Sequence, residues 1–129
     1  MPAAAKVKAI VVDDQLTIRS LVRTSLQAIG VVDVREFPGA AEALADAKTR
    51  PAHLILSDFN MPGIDGLEFL RAVRAEPTLK STAFILLTGR ADKDLVQRAA
   101  QFGANNYMVK PFTVAMLKQK LDQIFGELT

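Results

Sequence analysis

Asp13 and Asp14 stand side by side directly after the apolar run 7–12, and Asp58 follows Ser57 directly after the run 54–56. Thr88 and Gly89 follow the run 83–87, and Lys110 and Pro111 follow the run 107–109. Singly, each has a plain explanation: an aspartate or threonine after a strand caps the next helix, and a lysine is a solvated charge. Jointly they do not, because capping requires neither two adjacent acids at one strand end nor a third at another. Independent caps would also not assemble the charge pattern of a cation site. Asp13, Asp14 and Asp58 sum to −3 and Lys110 returns +1. Two like charges ~4 Å apart repel by about 4 kcal/mol at an effective dielectric of 20. An all-oxygen set of net −2 therefore calls for a hard divalent cation, Mg²⁺ or Mn²⁺. A carboxylate beside such a cation can attack phosphorus and form an aspartyl phosphate. Metal and lysine would neutralise the transferring oxygens, and Thr88 would donate a hydrogen bond to one of them.

These groups meet only if the elements bring them to one edge. Five short apolar runs recur, at 7–12, 31–37 (weaker), 54–56, 83–87 and 107–109. The first and fourth do not alternate polar with apolar, as expected of strands covered on both faces. Helical spacing fills the intervals. Ile18, Leu21, Val22, Ser25, Leu26 and Ile29 form an apolar stripe that ends at Gly30. The segment 40–48 is alanine-rich. Asp65 and Glu68 read as a capping box before Leu67, Leu70 and Val73. Asp92 and Asp94 open a helix that reaches Phe102 and closes at Gly103. Thr113 caps a last helix with Leu117, Leu121, Ile124 and Leu128 on its apolar stripe. Strand and helix alternate five times, which predicts a doubly wound α/β fold with a parallel sheet and right-handed crossovers. In such a sheet ligands bind beyond the carboxyl ends of the strands, and that is where Asp13, Asp14, Asp58, Thr88 and Lys110 fall.

Composition narrows the classes further. The 129 residues make one domain, 1–129, with 50% hydrophobic and 23% charged residues, which excludes disorder and low-complexity architectures. Sixteen Lys+Arg against fourteen Asp+Glu leave a formal +2, too small a surplus for a nucleic-acid stripe. Without cysteine there is no disulfide, thiolate metal site or Cys nucleophile. No apolar run approaches the ~20 residues of a membrane helix, and Met1-Pro2-Ala3-Ala4-Ala5-Lys6 carries no signal pattern. The expectation is a soluble, cytoplasmic protein.

As a set, Asp13-Asp14, Asp58, Thr88 and Lys110-Pro111 on five strand–helix units resemble the receiver domain of two-component response regulators. Ser57-Asp58-Phe59-Asn60-Met61-Pro62, Asp65-Gly66-Leu67-Glu68, Gly103-Ala104, Lys110-Pro111-Phe112-Thr113 and Lys120-Leu121 are similar to its single-domain chemotaxis members. The resemblance spans essentially the whole chain. It implies the flavodoxin-like five-stranded parallel sheet of order 2-1-3-4-5. It implies Asp58 as phosphoacceptor, and Asp14, Asp58 and the backbone carbonyl of Asn60 as Mg²⁺ ligands, with Asp13 acting through a water. Lys110, Thr88 and Gly89 would bind the phosphoryl group, and Lys110-Pro111 would be a cis peptide. Thr88 and Tyr107 would be the switch pair, with Lys93, Tyr107 and Lys120 on the partner face. Asn60 and Arg90 would tune the rate of dephosphorylation. Arg90 replaces an acid of the best-known chemotaxis member, and a guanidinium there can cover or hold the phosphoryl group. The implied partners are a sensor histidine kinase or phosphotransfer protein as donor and a downstream protein target, such as a flagellar motor switch component. The implied protein is a monomeric signalling switch, not an enzyme, with its own autophosphorylation and autodephosphorylation chemistry.

Three other readings compete. A phosphate sink or relay protein stays within the receiver family. A phosphatase or phosphotransferase of the haloacid-dehalogenase type wants a second aspartate two residues after the nucleophile, where Asp13 is followed by Gln15. A flavin module shares the fold, but three carboxylates repel a flavin phosphate. His53, the single histidine, precedes the third run and lies a strand length, ~13–17 Å, from the carboxylate edge. It is expected at the surface, without a part in the chemistry.

Overall fold

In a computed structural model that describes residues 3–90 and 92–129, five strands and five helices alternate after a short 3-10 turn at Ala4–Lys6. Met1 and Pro2, the start of the terminal segment read above, lie outside the described residues, as does Ala91. The strands are β1 (Lys8–Val12), β2 (Asp33–Phe37), β3 (Leu54–Asp58), β4 (Ala83–Thr88) and β5 (Asn106–Val109). The helices are α1 (Leu16–Ile29), α2 (Ala40–Thr49), α3 (Gly66–Ala75), α4 (Lys93–Gln101) and α5 (Val114–Phe125). The sheet is wholly parallel, in the order β2-β1-β3-β4-β5.

Each strand's alternate side chains enter different cores. Val11, Leu56, Ile85 and Leu87 pack with Val22 and Leu26 of α1 and Leu117 and Leu121 of α5. Ile10, Val12, Ile55 and Leu86 pack with Ala43 of α2, Leu67 and Leu70 of α3 and Leu95 of α4. Covering on both faces is why the central strands read as unbroken apolar runs.

Local signals set the helix ends. Asp65 Oδ1 accepts the Glu68 N–H at 2.9 Å while Glu68 Oε1 accepts the Asp65 N–H at 3.3 Å, a complete capping box. Thr113 Oγ1 accepts the Met116 N–H at 3.1 Å. At the end of α1, Gly30 takes φ 109°, and the N–H groups of Gly30 and Val31 return to Gln27 and Leu26 carbonyls.

Three details differ from the sequence reading. Val31 closes that turn and Val32 precedes the strand, so β2 begins only at Asp33. Leu21 lies outside the buried stripe, 47% exposed, because Val22, Ser25 and Leu26 face the core. Leu128 is buried but lies beyond α5, which stops at Phe125; Gly126 turns the chain, and the Leu128 N–H donates to Asp122 Oδ1 at 3.0 Å.

Candidate functional site

The carboxyl ends of β1, β3, β4 and β5 deliver the polar residues. β3 extends two residues beyond its apolar run: Ser57 and Asp58 stay in register with Leu86 and Leu87 of β4. Asp58 is thus a strand residue, only 6% exposed, and its backbone is fixed by the ladder. Behind it α3 approaches so closely that a Cβ on Gly66 would lie 2.6 Å from the Asp58 carbonyl oxygen and 2.9 Å from Phe59 Cα.

Asp13, the first residue after β1, is fully buried. Its N–H donates to the Phe37 carbonyl at 3.2 Å and its Oδ1 accepts the Gln15 N–H at 2.9 Å. Its own carbonyl accepts Arg19 Nη1 at 2.7 Å. Asp14 is exposed, and carboxylate oxygens of Asp13, Asp14 and Asp58 lie within 4.8 Å of one another.

Lys110 follows β5. Its N–H donates to the Thr88 carbonyl at 2.8 Å, and the Lys110–Pro111 peptide is cis, as the resemblance implied. Its Nζ donates to Asp58 Oδ1 at 2.7 Å and to Asp13 Oδ2 at 3.3 Å. One ammonium is therefore shared between two carboxylates, and the third, Asp14, has no bond to it. Burial pushes the Asp58 carboxyl above the ordinary aspartate value; the Lys110 hydrogen bond opposes this, while Asp13 and Asp14 reinforce it. Burial by itself would lower Lys110, but its bond to Asp58 and the charges of Asp13 and Asp58 hold the ammonium above the ordinary lysine value. An oxygen-only donor set with surplus negative charge and a reluctantly ionised carboxylate fits a hard divalent cation.

Thr88 is buried, and its hydroxyl closes a small turn: it donates to the Arg90 carbonyl at 2.9 Å and accepts the Arg90 N–H at 3.1 Å. A Cβ added to the exposed Gly89 would meet nothing within 4 Å. Tyr107 is half-buried, with the Lys120 ammonium 5.2 Å from its ring centroid. Lys120 also donates to Asn106 Oδ1 at 3.0 Å, so it is anchored rather than freely solvated. Asn60 is exposed in the loop after Asp58. Arg90 and Lys93 are exposed, and their side chains form no ion pair or hydrogen bond among the described residues. His53 is exposed at the opposite end of β3, where its Nδ1 accepts the Lys8 N–H at 3.0 Å.

Two residues of the site's support escape the sequence reading. Gly66 carried a signal, a glycine between the cap Asp65 and the core residue Leu67, but its role depends on proximity to β3. Arg19 carried none: its partner is a backbone carbonyl, which residue types do not reveal.

The sheet order and the clustered carboxylates define a class, a flavodoxin-like parallel α/β domain with an acidic site at the carboxyl edge of its sheet, and comparison with known proteins gives its family. Residues 9–122 match the family model described as response regulator receiver domain. The chain belongs to that family. A Rhizobium etli protein described as "probable chemotaxis protein CheY" is 44% identical over 128 residues, covering 99% of each chain. Chemotaxis protein CheY-3 of Vibrio cholerae is 38% identical, over 94% of this chain and 93% of that one. The solved chemotaxis protein CheY4 of Vibrio cholerae superposes with a TM-score of 0.86 at 34% identity, covering 97% of this chain and all of the other. Proteins of this kind are signalling proteins rather than classical enzymes.

Proposed function

We propose that the chain, acting as a single receiver domain, is a phosphoacceptor switch whose acceptor is Asp58. The observation that carries this reading is the Lys110 ammonium 2.7 Å from Asp58 Oδ1 inside a cluster of three carboxylates. Asp14, Asp58 and the Asn60 carbonyl would hold Mg²⁺ or Mn²⁺, with Asp13 acting through a water. A bound cation supplies positive charge for the phosphoryl oxygens. An Asp58 oxygen bonds to phosphorus as the bond from phosphorus to the donor breaks; the donor nitrogen or oxygen keeps that electron pair. Lys110 moves from carboxylate to phosphoryl oxygen. Thr88 exchanges the Arg90 carbonyl for a phosphoryl oxygen, and Tyr107 turns into the space this opens beside Gly89. The altered surface of α4, β5 and α5, including Lys93, Tyr107 and Lys120, then meets a protein target.

The donor is a sensor histidine kinase or phosphotransfer protein. By likeness to the chemotaxis relatives, the target is a component such as the flagellar motor switch. A sink or relay role is the second reading, and it draws on Arg90, an exposed arginine two residues after Thr88, whose guanidinium would slow loss of the phosphoryl group if it covers it, with Asn60 as a second rate-tuning residue. The test is labelling: acetyl phosphate with Mg²⁺ phosphorylates wild type, and Asp58→Asn or removal of Mg²⁺ abolishes it. Undiminished labelling of Asp58→Asn would move the acceptor elsewhere.

A further inference from the structure

Asp14 is the least supported of the three acids. It is exposed, and its carboxylate has no hydrogen bond among the described residues. Its direction is set by the backbone alone. The peptide unit entering Asp14 carries the Asp13 carbonyl, and the group that holds that carbonyl is the Arg19 guanidinium, at 2.7 Å. Charge-assisted bonds of this length are roughly twice as strong as neutral ones.

Arg19 is itself held in an unusual way. Its side chain is only 15% exposed, and its Nε is buried without a hydrogen-bond partner, 3.7 Å from Glu36 Oε1 on β2. Glu36 in turn receives Nη1 of Arg23, one helical turn further along α1. A chain of alternating charges thus runs from Arg23 through Glu36 and Arg19 to the carbonyl between the two acids. A neutral donor would satisfy that carbonyl without leaving a buried N–H unpaired, which is a costly arrangement.

We infer that Arg19 is a positioning residue for the cation site, fixing the Asp13–Asp14 peptide so that the Asp14 carboxylate points at Asp58. This inference rests on the cation site proposed above. Two effects of removing Arg19 have opposite signs. A cation lost from behind an acidic cluster would tighten Mg²⁺ binding by charge alone; loss of positioning would weaken it. Supports of this kind are typically worth 10–100-fold in metal affinity, and because the two effects differ in sign, the direction of the change tells them apart.

Isothermal titration of Mg²⁺ into wild type, Arg19→Met and Arg19→Lys distinguishes the cases. Arg19→Met, similar in length but without donor or charge, is expected to bind about tenfold more weakly. Arg19→Lys can still donate to the carbonyl and is expected to recover most of the affinity. Equal affinity in Arg19→Met and wild type would reduce Arg19 to a structural residue, and tighter binding would reduce it to a background charge; either overturns the inference. If Arg19→Met does not fold, Arg19→Gln also removes the charge while keeping a shorter polar side chain in the buried position; weaker binding is expected there too, whereas unchanged or tighter binding overturns the inference. A wild type that binds no Mg²⁺ would remove the proposed cation site itself, whereas a binding wild type with indifferent variants removes only the role of Arg19.

Discussion

Asp58 holds its proton more tightly in the folded protein than in the unfolded chain, because burial and two neighbouring acids outweigh one lysine. Between the ordinary aspartate value and the raised folded value, the native state therefore carries the extra proton. Raising the pH through that window costs native stability in EDTA, and lowering it restores the loss. A cation competes with that proton, so the stability gained on adding Mg²⁺ should shrink as the pH falls through the same window. Paired urea melts with EDTA and with Mg²⁺ at acid and neutral pH measure this; a gain independent of pH would mean that ionised Asp58 is not a ligand. Lys110 sets the other limit, its contribution being complete below the ordinary lysine value and lost as the pH rises through its raised one. Asp13→Asn separates charge from structure. It keeps an oxygen for the Gln15 N–H and gives up only the longer, 3.3 Å bond to Lys110. Relief of repulsion should win, and the variant should unfold later than wild type in EDTA by on the order of 1 kcal/mol. It should also gain less from Mg²⁺. Earlier unfolding would make Asp13 a structural residue.

At the scale of elements, α3 is placed by the glycine at its start. Helix propensity alone favours Ala over Gly by about 1 kcal/mol. The Cβ of Gly66→Ala would however collide with the backbone of Asp58 and Phe59, and crowding of that kind costs about 1–3 kcal/mol. Gly66→Ala is therefore expected to destabilise the protein and to slow acetyl-phosphate labelling; a stabilised variant would show that α3 can retreat freely. The same scale shows what a sequence discloses. Caps at Asp65 and Thr113 and the turn at Gly30 are legible because their partners lie within a few residues. Leu21 and Leu128 are misplaced by periodicity alone, since an apolar residue at the margin of a stripe or just past a helix end has the same spacing as one inside it. The run 54–56 ends where polarity begins, but β3 continues to Asp58 because pairing with β4 does not depend on side-chain type. The site acids, Thr88 and Lys110 are legible because each directly follows or ends its strand. Arg19 and Gly66 act on backbone atoms of distant segments, and nothing in their residue types announces that.

Across the whole molecule, the site and the surface of α4, β5 and α5 are joined through β4 and β5, whose register sets Leu86 opposite Tyr107 and Thr88 opposite Val109. A phosphoryl group can shift this arrangement only by the difference in its affinity for two conformations. Activation with beryllofluoride should therefore change amide exchange in α4, β5 and the start of α5 as well as around Asp58. Changes confined to the Asp58 loop would deny the coupling. The Thr88 hydroxyl bears on what happens when no signal is present. It is not idle but doubly bonded to the Arg90 backbone, so leaving that turn has a cost before any phosphoryl group arrives. A net hydrogen bond is worth about 0.5–1.5 kcal/mol, which corresponds to a roughly two- to tenfold lower population of spontaneously switched molecules. If Thr88 is the switch residue proposed above, the background against which a phosphodonor must be heard is set by the partner a hydroxyl keeps while it waits.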